Sequence, residues 1–185
     1  MVSVTSLWLP VLLSAVIVFV ASSIMHMVLP YHHSDYKQLP DEDKVVAALR
    51  AAGVKRGLYM FPFCTHKNMN SPEMVEKLTQ GPVGSITVFP SGRPVIAKFM
   101  IMWFVYCLIV GAVVACLASR TIMPGASYPS VFHIVALSAF LAYGIGILSN
   151  GIWKSQPWGM VTKEVIDGLI YALLTAGTFG WLWPR

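Results

Sequence analysis

Charge is what this chain has least of. Of its 185 residues only 11% are charged, against about 25% in soluble domains. Between Leu7 and Leu29 there is no Asp, Glu, Lys or Arg at all. An ordinary soluble surface cannot be built from this composition, so a membrane protein is expected. Cysteine is also scarce. Cys64, Cys107 and Cys116 supply no disulfide framework. Cys107 and Cys116 share one apolar segment, but at about 100° per residue they point to opposite sides of a helix and cannot pair with each other.

Other absences narrow the function. No nucleophile elbow, P-loop, dinucleotide fingerprint or zinc-protease motif occurs, so nothing in the motifs argues for an enzyme. No internal repeat relates the two halves, which disfavours an inverted-repeat transporter. The net charge of +5 would raise nucleic acid as a partner for a soluble protein. Here the basic residues flank apolar runs, which the positive-inside effect and anionic headgroups explain, and no nucleic acid is expected.

What the chain does have is apolar length. Hydrophobic residues make up 56% of it and the mean hydropathy is +0.67. Four segments match the roughly 20 residues needed to cross a bilayer: Leu7–Leu29, Val95–Ser119, Tyr128–Leu148 and Lys163–Trp183. The first could be mistaken for a signal peptide, with Ala21-Ser22-Ser23 as its cleavage site. It lacks a basic leader and is too long for one, so an uncleaved helix is expected. Pro10 sits in its first turn, where proline is tolerated, and Pro30 ends it.

The expected fold is therefore an all-α integral membrane protein. A four-transmembrane-helix bundle carries a small α+β cap between helices 1 and 2. Residues 1–30 form span 1, residues 31–94 the cap, and residues 95–185 spans 2–4. In the cap, Asp41–Ala52 reads as a helix opened by Pro40 and acids and closed by Gly53. Ser71-Pro72-Glu73 is an N-cap with proline at the first helical position, opening a helix through Gln80 with Gly81 as its stop. Leu58–Phe63 and Ser85–Phe89 read as strands. The cap is too small for a confident core of its own.

Sidedness follows from charge. Four spans put both termini and the Arg120 turn on one side, where only Arg120 and Arg185 are basic. The long segment and the Lys154 turn hold the other basic residues and all eight acids. The second side is expected to be cytoplasmic, with both termini outside a cytoplasmic (inner) membrane. Trp8, Trp181 and Trp183 mark one interface, and Trp153 and Trp158 the other. Small residues at four-residue spacing, Gly111/Ala115/Ser119, Ser138/Ala142/Gly146 and Ala172/Ala176, let helix backbones approach closely, either within the bundle or against a partner.

One stretch could carry chemistry: Met25–Tyr36, MHMVLPYHHSDY, which holds three of the five histidines. His26 lies on the last turn of span 1, and His32, His33 and Asp35 follow the proline break. Glu164 and Asp167 begin span 4 at the same depth. Imidazoles and carboxylates gathered at a membrane interface suit iron, zinc or manganese, while Met25 and Met27 beside His26 would suit copper(I). The alternatives are interface histidines bonded to backbone or headgroups, and a proton relay. His133 lies at the other end of its span. It cannot share an ion with His26, and is read either as a bundle histidine or as a lone axial ligand for haem or chlorophyll. Asp167, an acid inside a span, is a functional candidate by default. Two readings of function stay open. One is a non-catalytic accessory or structural subunit packing against a larger membrane complex or itself. The other is a metal-dependent membrane enzyme or metal carrier using His26, His32, His33, Asp35, Glu164 and Asp167.

Overall fold

The computed structural model describes residues 2–184; Arg185, part of the charge asymmetry above, lies outside them. The chain divides into two compact units, residues 37–94 and the remainder.

In the larger unit, helix α1 (Trp8–Ser23) is entered by a 3₁₀ turn over Val4–Leu7 and extended by a widened turn over Ile24–Val28. Helix α4 (Ile96–Thr121), helix α5 (Tyr128–Tyr143) and helix α7 (Trp158–Trp181) complete it. They neighbour one another in the cyclic order α1, α4, α5, α7. The ends alternate. Trp103 near the start of α4 donates to Ser22 near the end of α1, 2.7 Å away. At the far end Trp183 Nε1 donates to the Met123 carbonyl over 3.0 Å and the Gly125 N–H to the Pro184 carbonyl over 2.9 Å. Trp183 is therefore buried as a staple between the α4–α5 turn and the chain end, unlike the exposed Trp8, Trp153, Trp158 and Trp181.

Three stretches are long and apolar enough to cross a membrane: Val4–Val28, Ile96–Thr121 and Tyr128–Trp153. The core between the helices is built from small and branched side chains, among them Ala15, Val18, Ala115, Val131, Val135 and Ala176. The outer faces are apolar as well. Leu12, Val16 and Val20 on α1, and Ile109, Val113 and Leu117 on α4, are exposed. Apolar outer faces of this kind suit a hydrocarbon surrounding.

The third apolar stretch is not one straight helix. Gly144 ends α5, a 3₁₀ turn follows over Ile145–Ile147, and helix α6 (Leu148–Trp153) ends the stretch. Two glycines in three residues weaken the helix there. The close approach of α7 explains the place: a Cβ on Gly168 would lie 2.5 Å from the Tyr143 carbonyl oxygen and 2.6 Å from the Gly144 Cα. Helix α7 starts before the expected Lys163, because Pro157 opens it and its first turns are amphipathic rather than apolar.

Two of the small-residue stripes are used internally. A Cβ on Gly111 would meet Val11 of α1 at 3.3 Å, and Ala115, Ser119, Ala172 and Ala176 are buried. In the third stripe, Ala142 and Gly146 are exposed.

The unit of residues 37–94 contains helix α2 (Glu42–Ala51), strand β1 (Gly57–Phe61), helix α3 (Pro72–Gln80) and strand β2 (Gly84–Val88). The strands pair antiparallel with Tyr59 opposite Ile86. Ser71 caps α3, its side chain accepting from the Met74 N–H, and Gly81 at φ +63° closes it, as the S-P-E and Gly signals require.

Candidate metal centre

The site begins with a fault in α1. Pro30 forces Leu29 into extended backbone, and the Leu29 N–H reaches back five residues to the Ile24 carbonyl, 3.1 Å away. Such widened turns re-aim side chains and recur at functional sites. His26 lies within this one. Its Nδ1 is 3.1 Å from the Ser22 carbonyl oxygen. A carbonyl only accepts, so Nδ1 carries the hydrogen, and in the neutral ring Nε2 keeps the lone pair. A 3₁₀ turn over Pro30–His32 then folds the chain back. The His32 ring stacks on His26 with centroids 4.2 Å apart and planes 13° from parallel.

His32 has a carboxylate at each nitrogen. Nδ1 is 2.6 Å from Asp35 Oδ2, and Nε2 is 2.8 Å from Asp167 Oδ2 on α7. Asp35 is fixed in turn by Lys163, whose ammonium lies 2.6 Å from Asp35 Oδ1, 2.8 Å from the Tyr31 carbonyl and 2.8 Å from Ser34 Oγ. All three ammonium donors are used. This hydrogen bond from Lys163, with that from His32, holds the Asp35 carboxyl below the usual carboxylate range. The side chains of Asp35 and Asp167 are 5% and 3% exposed, so these are desolvated charges that need their partners.

The Nε2 atoms of both imidazoles converge on one oxygen. His26 Nε2 is 3.7 Å from the same Asp167 Oδ2 that faces His32 Nε2. One ligand atom from each of His26, His32 and Asp167 lies within 4.8 Å of the other two, so the three could hold a metal ion. An ion bound tetrahedrally at about 2.0–2.2 Å sets neighbouring ligand atoms about 3.3–3.6 Å apart. The 2.8 and 3.7 Å separations bracket that range. The outer contacts fit too, because each imidazole passes its Nδ1–H to an acceptor, His32 to Asp35 and His26 to Ser22. Asp167 Oδ1 is buried with no hydrogen-bond partner among the described residues.

Of the residues singled out from sequence, the structure brings together His26, His32, Asp35 and Asp167. Glu164 lines the adjoining cleft without a hydrogen bond among the described residues. His33 is exposed, its backbone N–H closing the turn onto the Pro30 carbonyl at 3.0 Å. Met25 packs against the core and Met27 lines the cleft. His133 is exposed near the start of α5, edge-on to Phe132, at the end of the bundle away from His26. Lys163, expected as the first residue of the fourth span, pairs with Asp35; sequence reasoning did not foresee that contact. It missed Tyr171, although Asp167 and Tyr171 four residues apart must share a helix face.

Beside His26, His32 and Asp167 opens a cleft of about 630 Å³, lined by residues of α1, α4, α5 and α7. Its wall is aromatic. Trp103 stacks on Tyr106 at 5.3 Å, and Tyr143 meets Tyr106 and Tyr171 edge-on at 5.9 and 5.8 Å. Compared with known proteins, the chain matches no family model, and no curated protein or solved structure resembles it significantly.

Proposed function

We propose that this is an integral membrane metalloprotein, a four-span bundle that binds one first-row transition ion between His26, His32 and Asp167. The single observation carrying this reading is the convergence of two imidazole Nε2 atoms on one carboxylate oxygen while both Nδ1 atoms are anchored elsewhere. A histidine pair serving only to cap backbone has no need of that convergence. Nitrogen and oxygen donors favour iron(II), zinc or manganese over copper(I). In this reading α7 is the fourth span. Ile166, Leu169 and Leu173 face outward, and two of the charges in its first half are paired: Lys163 with Asp35 and Asp167 with His32. Asp35 and Lys163 orient the ligands and bind no metal. Glu164 could complete the coordination. The charge asymmetry supports a centre at the cytoplasmic face.

The accessory-subunit reading keeps one support, the exposed Gly146 of the third small-residue stripe, whose Ala142 lines the cleft, and is compatible with a bound ion. The test is elemental analysis of the purified full-length protein. About one ion per chain is expected, lost in His32→Ala and in Asp167→Ala and retained in His133→Ala. A protein free of stoichiometric metal after purification without chelator, and after reconstitution with iron(II), zinc or manganese, would overturn the proposal.

A further inference from the structure

The cleft beside the ligands has a chemistry of its own, and it does not depend on the ion. Among its buried polar atoms, Asp167 Oδ1 and Tyr171 Oη have no partner among the described residues. Both residues are at least nine-tenths buried, at 2% and 4% exposed. They stand four residues apart on α7 and so on one face. Two other polar tips nearby are occupied: Trp103 Nε1 donates to Ser22 Oγ over 2.7 Å, and Tyr106 Oη to the Ala142 carbonyl over 3.0 Å; the Glu164 carboxyl, also on the cleft wall, makes no hydrogen bond among the described residues. A buried polar atom left unpaired costs about 1–3 kcal/mol, so the two free atoms define the polar end of a ligand site.

We infer that the cleft binds a membrane-soluble phenol or hydroquinone, a flat aromatic ring carrying a hydroxyl and an apolar tail. A carboxylate oxygen only accepts, so the ligand must donate to Asp167 Oδ1. The Tyr171 hydroxyl can donate back to the same ligand oxygen. A hydroxyl satisfies both atoms at once; a ketone or an ether satisfies only Tyr171. A full positive charge is not called for, because Asp167 already faces His32 at 2.8 Å and His26 at 3.7 Å. The edge-and-face wall of Trp103, Tyr106, Tyr143 and Tyr171 suits an aromatic ring. Phe99, Met100 and Ile147 continue the cleft as apolar surface for a tail. The outer faces around it are apolar, so such a ligand arrives from the hydrocarbon phase.

Binding of a matched series to the metal-free full-length protein in detergent tests this, read as quenching that is lost in Trp103→Phe. The probes are 4-dodecylphenol, 4-dodecylanisole, which cannot donate, and dodecylamine. The phenol should bind saturably, with the anisole weaker by about five- to tenfold, the worth of one hydrogen bond. Tyr171→Phe should weaken the phenol by a similar factor while leaving the metal content unchanged, which separates this inference from the metal proposal. Equal affinity for phenol and anisole in the wild type would overturn it, making the cleft a general acyl-chain groove. Tightest binding of the amine would overturn it in favour of an amphiphilic cation. Because the ligand series needs no mutation, a misfolded variant would not protect the inference.

Discussion

Asp35 ties the loop after α1 to the first turns of α7, and its partners predict how stability responds to pH. Its carboxyl is held below the usual range by the hydrogen bond from Lys163 and then that from His32. A depressed folded-state pKa gives stabilisation that is fully present above the unfolded value of about 3.9 and is lost as pH falls through the folded value. Asp35→Asn should therefore lower the thermal midpoint in detergent at neutral pH, by the equivalent of about 1–3 kcal/mol. The gap from wild type should hold down to about pH 5 and close below about pH 4. A gap that ignores pH would mean that the ion pair with Lys163 is not its source. At this scale the sequence reveals identity but not pairing. His26, His32, Asp35 and Asp167 stand out as polar residues in apolar surroundings. The contact between His32 and Asp167 joins distant parts of the chain, and no local pattern encodes it. Tyr171 stayed hidden because an aromatic on an apolar helix face looks like core; what sets it apart is a buried hydroxyl with no partner among the described residues.

The crossing of α5 and α7 depends on Gly168, next in sequence to a proposed ligand. A methyl group there would meet backbone at 2.5 and 2.6 Å, from the Tyr143 carbonyl oxygen and the Gly144 Cα. Backbone cannot step aside as a side chain can. Gly168→Ala should cost several kcal/mol, about the range of other overpacked sites or above it, and should shift Asp167 enough to weaken metal binding. Gly177→Ala on the same helix is the control. Its Cβ would meet only the Tyr128 hydroxyl, at 3.7 Å, and removing a helical glycine should be neutral or stabilise by about 0.5–1 kcal/mol. Similar midpoints for the two variants, read by thermal unfolding in detergent, would contradict this packing. The helices themselves were largely legible, because an apolar run is a local property and Ser71, Pro72 and Gly81 carry their own stop and start chemistry. The break at Gly144 was not, since it answers the approach of α7. The early start of α7 was not either, because Trp158–Thr162 lie between the Lys154 turn and the charges of Lys163, Glu164 and Asp167, where no continuous apolar run marks a helix.

For the molecule as a whole, the alternating helix ends gather Lys163, Asp167 and the loop after α1 at one end, and the α4–α5 turn and Pro184 at the other. If all four helices span and the basic side is cytoplasmic, a single cysteine placed at Lys154 in a cysteine-free background should resist an impermeant thiol reagent in intact cells. One at Met123, at the opposite end and exposed, should react. The reverse labelling would invert the protein in the membrane without touching the metal proposal. That proposal meets its most direct test in X-ray absorption at the edge of the ion bound to the purified wild-type protein. The expected result is a first shell of nitrogen and oxygen at about 2.0–2.2 Å with the outer scattering of two imidazoles. A first shell dominated by sulfur at about 2.3 Å, or one without imidazole, would contradict it.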